Sequence, residues 1–192
     1  MAAGSGVLLD MFLDIGFVPI PNTVVLLVGE AAPDPGEVGL TAVAGMIFDG
    51  AGRLLLTEVA ARGHDLPGGH AEPGERPLAT LRREVREETG LRLPPGMRLT
   101  LAAACVITVA GPRPAGYRYP YPLSQMWIYT ARLDGPGPPL APPVGSECLA
   151  AGWVEPAAVR SLTGPRLWHA ALDRCRPVPI SRGGDDRGKR GD

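Results

Sequence analysis

The chain is expected to fold as one mixed α/β domain, and three observations support this. Short apolar runs bounded by glycine- and proline-rich turns recur along it, as strands do. One segment, residues 77–89, instead carries Leu78, Leu81 and Val85 at helical spacing with charged residues between them. A length of 192 residues with 45% hydrophobic content is enough for one core with extensions.

Residues 1–37 are read as an N-terminal extension adding a short helix and a strand over Thr23–Val28, with contact between two copies of a homodimer as one use for it. Residues 7–20 are apolar, but Asp10 and Asp14 interrupt them and no Lys or Arg precedes Arg53, so a secretory signal would lack its basic region. A membrane span through residues 7–29 would bury two aspartates, Pro19, Pro21 and Asn22. The expectation is a soluble, cytoplasmic protein with no membrane partner. Leu40–Phe48 is strand-like, Asp49-Gly50-Ala51-Gly52 is a turn of hairpin type, and Arg53–Val59 returns as a second strand. Leu66-Pro67-Gly68-Gly69 is a glycine-permitted turn that lets backbone carbonyls approach a bound ion.

The helix after it has Pro77 in its first turn and Gly90 at its end, where each is favoured. Leu78, Leu81, Val85 and Glu88 share one side of it, and Arg83 can pair with Glu87 at i+4. Pro94-Pro95-Gly96 breaks the chain, Leu99–Ala110 reads as a buried strand, and Gly111–Pro122 is a loop rich in Pro, Arg and Tyr. Over Gln125–Leu133, Met126, Ile128 and Thr130 alternate with Trp127, Tyr129 and Ala131, which predicts a strand with two different faces. Asp134–Gly145 is a loop, Ala150–Val154 a short strand, Glu155-Pro156 opens a helix to about Leu162, and Leu167–Arg174 is a last helix. Residues 176–192 are Pro, Gly, Asp and Arg with almost no apolar side chains and are expected to be a disordered tail.

A net charge of −1 gives no electrostatic footprint for a nucleic acid polymer. Cys105, Cys148 and Cys175 are odd in number and widely spaced, which fits buried structural thiols in a reducing compartment better than disulfides or zinc.

The chemistry concentrates in residues 69–91, GHAEPGERPLATLRREVREETGL. Glu84, Glu87 and Glu88 fall at i, i+3 and i+4, so a helix projects all three from one face. Ionised carboxylates roughly 5–6 Å apart repel by about 3 kcal/mol at an effective dielectric of about 20. Such a cluster calls for a cation, and Mg²⁺, a hard ion that takes oxygen ligands and keeps several waters, suits it.

Gly69, five residues, Glu75, seven residues and then Arg83-Glu84-Val85-Arg86-Glu87-Glu88-Thr89-Gly90-Leu91 resembles the signature box of the Nudix hydrolases at every fixed position. The resemblance implies an α/β/α sandwich with a mixed β-sheet over about residues 38–175, in which the box forms a loop–helix–loop beside the sheet. It also implies hydrolysis of a nucleoside diphosphate linked to another moiety, a small-molecule phosphate anhydride, by water attacking phosphorus. By similarity Glu84, Glu87 and Glu88 hold Mg²⁺, with Mn²⁺ as the alternative ion and the Gly69 carbonyl as a further ligand. Arg83 would orient a glutamate and Glu75 would buttress the loop.

The general base would be Glu84 or an acid outside the box. Glu147, just ahead of Trp153-Val154, is the candidate for that loop acid, and Glu58 is a weaker one. His64 and His70 flank the box without a second histidine at ligand spacing, so a place beside substrate suits them better than metal ligation. Tyr117, Arg118, Tyr119 and Tyr121 form an aromatic and basic cluster suited to stacking a base and pairing with phosphate. Some Nudix subgroups carry a proline or tyrosine about sixteen residues past the box. Ile107 and its neighbours fit neither rule, which argues against the ADP-ribose and dinucleoside polyphosphate subgroups. Leu66-Pro67-Gly68-Gly69-His70 resembles relatives that cleave nucleoside triphosphates. Nucleotide sugars, prenyl diphosphates and a non-catalytic nucleotide sensor stay open as alternatives.

Overall fold

The computed structural model describes residues 7–14, 19–29, 32–60, 62–113, 115–117 and 119–175. In chain order these form β1 (Val7–Asp14), β2 (Pro19–Val28), β3 (Gly39–Phe48), β4 (Leu54–Val59), β5 (Gly63–Asp65), β6 (Gly68–His70), α1 (Pro77–Thr89), β7 (Thr100–Val109), β8 (Leu123–Arg132), β9 (Cys148–Val154), α2 (Pro156–Thr163) and α3 (His169–Cys175). The strand order is β1-β2-β7-β8-β3-β4-β5, with β6 added to β3 and β9 added to β4. The β3–β8 pair is parallel and the other pairs are antiparallel, so the sheet is mixed.

The β3–β4 hairpin closes at Phe48–Leu54, the one registered pair between these strands. Its turn is fastened by the buried Asp49 carboxylate, which accepts from the Arg53 backbone N–H (2.9 Å), the Arg53 guanidinium (2.6 and 2.9 Å) and the Gly137 N–H (3.0 Å). Beyond the turn the strands diverge. β3 continues between β8 and β6, while β4 continues between β9 and β5. α1 lies across this divergence, against β3, β6 and β9.

Alternation along the strands divides the interior into two cores. Met46, Leu54, Leu56 and Ile128 face α2 and α3, where Val159, Trp168 and Leu172 cover them. Val43, Ile47, Leu55 and Tyr129 face α1, where Leu81 and Val85 are fully buried. Burying each of these aliphatic side chains stabilises the fold by about 1.5–3 kcal/mol. Helices therefore cover both faces of a mixed sheet, which is the α/β/α sandwich expected from the box. The two faces foreseen for β8 are also present, with Met126 and Ile128 in one core and Trp127, Tyr129 and Ala131 in the other.

Several local expectations are corrected. Val7–Asp14 is a strand, not a short helix: its backbone groups find partners on β2, in register from Val7–Leu26 to Asp14–Pro19, and a docked strand outweighs a modest helix propensity. β2 in turn pairs with β7, so the extension adds a hairpin to the sheet. The turn foreseen at Leu66–Gly69 continues into β6, because Gly68 lies against the backbone of Val43 and Ala44 where any Cβ would overlap it. Leu78 is 41% exposed, so the buried stripe of α1 is carried by Leu81 and Val85. The tail foreseen at 176–192 lies outside the described residues. Among the described residues no helix is long and apolar enough to cross a membrane.

Candidate active site

α1 is built as its sequence implies. Pro77 occupies the first turn, and Gly90 ends the helix in the left-handed conformation (φ 75°) with its N–H on the Arg86 carbonyl at 3.0 Å. Thr89 closes the last turn by donating to the Val85 carbonyl and accepting from the Leu91 N–H. The acids on this helix differ sharply in environment. Glu88 is 4% exposed, the Glu84 side chain 14% and the Glu87 side chain 46%. Glu84 and Glu88, one turn apart, point toward β6 and the sheet, while Glu87 sits on the outer flank.

Arg83 organises the group. Its Nε and Nη2 donate to the two oxygens of Glu75 (3.1 and 2.9 Å), and Nη2 also donates to the His70 carbonyl at 2.9 Å. Nη1 donates to Glu84 at 2.8 Å and to Glu87 at 3.2 Å, so the i+4 pair foreseen from sequence is present. Glu75 further accepts from the Glu72 N–H and the Thr80 hydroxyl. The Arg83 guanidinium, helped by those two donors, holds the Glu75 carboxyl down at about 2. Glu75 is thus a permanent anion clamping the start of the loop to the helix, as a buttress requires.

Glu84 and Glu88 behave in the opposite way. Burial raises both above the ordinary carboxylate range, Glu88 to about 7. For Glu88 the Gly68 N–H at 2.8 Å and the Cys148 thiol pull downward, while the charges of Glu84 and Glu147 push upward. Burial, with the Glu88 charge beside it, lifts the Cys148 thiol to about 11, so it is a neutral donor. Cys148 was expected to be merely a buried thiol, and nothing in its spacing from the box signalled this contact. Glu147, at the entry to β9, is exposed and within 3.5 Å of Arg62, yet its charge is felt by both Glu84 and Glu88. Glu147 thus bears on the box acids as a through-space charge, while its side-chain partner is Arg62.

Other candidates fall elsewhere. Glu58 alternates with Thr57 on β4 and shares the face of Leu54 and Leu56, on the side of the sheet away from α1, so it does not join the cluster. His64 lies on β5, where its carbonyl accepts from Arg166. Tyr117 is 6% exposed and packs edge-on against Tyr119 (5.5 Å) and Tyr121 (6.2 Å), so it braces its loop and offers no ring face to a substrate. Arg118 lies outside the described residues. Tyr119 reaches the box by stacking on His70, with ring centroids 4.8 Å apart.

The donor set suits a hard divalent ion. Glu84 and Glu88 are desolvated oxygen donors, the charges of Glu84 and Glu147 bear on Glu88, and Gly69 lies directly beside Glu84. Among the described residues no three His, Cys, Asp or Glu side chains gather as a metal cage. Arg83 takes one oxygen of Glu84, and Arg83 and Arg86 take both oxygens of Glu87. Mg²⁺ is commonly held by one or two carboxylates plus water and substrate phosphates, and Glu84 and Glu88 are two such carboxylates. Gly69 has a steric duty here, because a Cβ on it would stand 2.5 Å from the Glu84 carboxyl carbon. Gly69→Ala is expected to displace that carboxylate and lower kcat about 10²-fold with little change in Tm. A loss of stability matching the loss of turnover in melting and initial-rate measurements would contradict this.

The NUDIX domain model matches residues 39–173. Among solved structures, the chain resembles the Bacillus subtilis pyrophosphohydrolase BsRppH with a TM-score of 0.55 and 23% identity, covering 80% of this chain and 89% of that one. It also resembles the E. coli dihydroneopterin triphosphate pyrophosphohydrolase, with a TM-score of 0.53, 17% identity and coverage of 70% and 93%. A stretch of 42 residues is 50% identical to YtkD of Bacillus subtilis (strain 168), by its name a candidate 8-oxo-dGTP diphosphatase, and spans 22% of this chain and 27% of that relative. With a domain match covering most of its length and an intact box folded as loop and helix against a mixed sheet, the chain belongs to the NUDIX family.

Proposed function

We propose that this protein is a Mg²⁺-dependent pyrophosphohydrolase that cleaves the diphosphate bond of a nucleoside diphosphate linked to another moiety, with nucleoside triphosphates as the preferred class. The observation that carries the reading is the desolvated Glu84–Glu88 pair, whose repulsion a divalent ion would relieve. YtkD, by its name a candidate 8-oxo-dGTP diphosphatase, acts on a nucleoside triphosphate, which favours that class.

Glu84 and Glu88 would hold the ion, with the Gly69 carbonyl beside them and Glu87 on the outer flank. The bound ion supplies Lewis-acid stabilisation of the phosphoryl oxygens. The chain's own residues do the rest. Arg83 holds one oxygen of Glu84 through its Nη1 and so fixes that carboxylate's rotamer. Water attacks one phosphorus, its proton passes to a carboxylate, and the bridging oxygen leaves with the other phosphate. Glu84, whose pKa burial raises, suits a proton acceptor, and Glu147 is the alternative from outside the box.

The test is a panel of nucleoside triphosphates, nucleotide sugars and prenyl diphosphates incubated with Mg²⁺ or Mn²⁺, with products identified. Release of a nucleoside monophosphate from triphosphates is the expected result. Cleavage confined to sugars or prenyl compounds would move the substrate class, and tight nucleotide binding with no cleavage of any compound would leave a sensor.

A further inference from the structure

We propose that His70 and Tyr119 form an aromatic platform that receives the planar base of the substrate, a subsite that deepens the nucleotide reading above and rests on it. The two rings lie 4.8 Å apart and 19° from parallel, at the place where the box loop meets the loop over residues 111–122. His70 is the exposed end of β6 and Tyr119 is half-buried. The platform is tied to the acids through one backbone group, since Arg83 donates to the His70 carbonyl while holding Glu75, Glu84 and Glu87. Gly69, the residue before His70, sits against the Glu84 carboxylate. A base on these rings would therefore place its phosphates toward Glu84 and Glu88.

The platform is also stiff, which limits the ordering cost of binding. Arg113 donates to the Tyr117 carbonyl at 2.9 Å, and the Tyr121 hydroxyl donates to the Gly111 carbonyl. Tyr117 packs edge-on beneath Tyr119. Pro120 lies over Gly39, where a Cβ would overlap its ring, and this seats the loop on the start of β3. β6 pairs with the same strand at Ala42–His70, so Gly39 and its neighbours set the distance between the two rings. Stacking on aromatic rings tolerates every base, so the platform selects for a base over none and leaves the choice among bases to other groups.

The test compares each of the four common nucleoside 5′-monophosphates with ribose 5-phosphate by calorimetry on the full chain, which reads the base without requiring turnover. At least one monophosphate is expected to bind about tenfold tighter than the sugar phosphate. Tyr119→Ala should erase that preference and Tyr119→Phe should keep it. Gly39→Ala, which touches neither ring, should reduce it by displacing Pro120. Equal binding of all five compounds by the unaltered protein, or a preference that survives Tyr119→Ala, overturns the proposal. Failure of the pyrophosphohydrolase reading would look different, as a base preference that persists in a protein releasing no phosphate.

Discussion

Glu88→Gln is expected to lower Mg²⁺-dependent phosphate release about 10³-fold while leaving the fold intact. The substitution keeps the shape and an oxygen able to accept from the Gly68 N–H, and it removes the charge that an ion needs. Glu84→Gln should behave alike, and Glu87→Gln should lose less, because Glu87 is half exposed and already committed to two arginines.

The same variant has a signature in stability. Metal-free Glu88 titrates near 7 in the fold against 4.5 for an ordinary glutamate. Its contribution is fully present below about 4.5 and is lost as pH rises through about 7, a change of about 3 kcal/mol. Metal-free protein should therefore lose Tm between pH 4.5 and 7 and regain it with Mg²⁺. Glu88→Gln should show a flatter profile and little response to the ion. Melting curves with and without Mg²⁺ measure both, and full turnover in Glu88→Gln would remove the ion from this site.

Arg83→Ala should be the most damaging single change to the site's architecture. Arg83 is mostly buried and holds Glu75, Glu84, Glu87 and the His70 carbonyl together. Its removal leaves half-buried carboxylates facing one another, at a cost of about 3 kcal/mol. Arg83→Lys should not restore the protein, because an ammonium cannot serve Glu75 with two parallel bonds while reaching Glu84. The pH dependence follows from Glu75, held at about 2 in the fold against 4.5 ordinarily. Its stabilisation is fully present above about 4.5 and is lost as pH falls through about 2. Arg83→Ala should therefore move acid unfolding to higher pH, as circular dichroism from pH 2 to 7 would record. An unchanged acid midpoint would mean that the Glu75–Arg83 clamp contributes nothing.

The legible parts of the chain were those governed by short-range periodicity. Pro77 and Gly90 marked the ends of α1, the Arg83–Glu87 pair followed from a four-residue step, and β8 announced its two faces by alternation. β5 and β6 were hidden because three residues are too few to show a period, and their pairing depends on β4 and β3. The strand at Val7–Asp14 was misread for a related reason: an apolar run of eight residues does not declare helix or strand until a partner is beside it.

The site divides along the same line. That three carboxylates and an arginine stand on one turn of helix was written in their spacing, as was the glycine-rich approach to them. Which carboxylate is desolvated was not, since that depends on how α1 lies across the diverging strands. Gly68, twenty residues away, and Cys148, sixty away, reach Glu88 only once the sheet has closed around it. The sequence by itself determined the family, the helix and its charges, because local geometry repeats every turn. The tertiary structure decided the environment of each charge, Tyr117 as a brace and Tyr119 as the ring stacked on His70, because burial is a property of distant segments meeting.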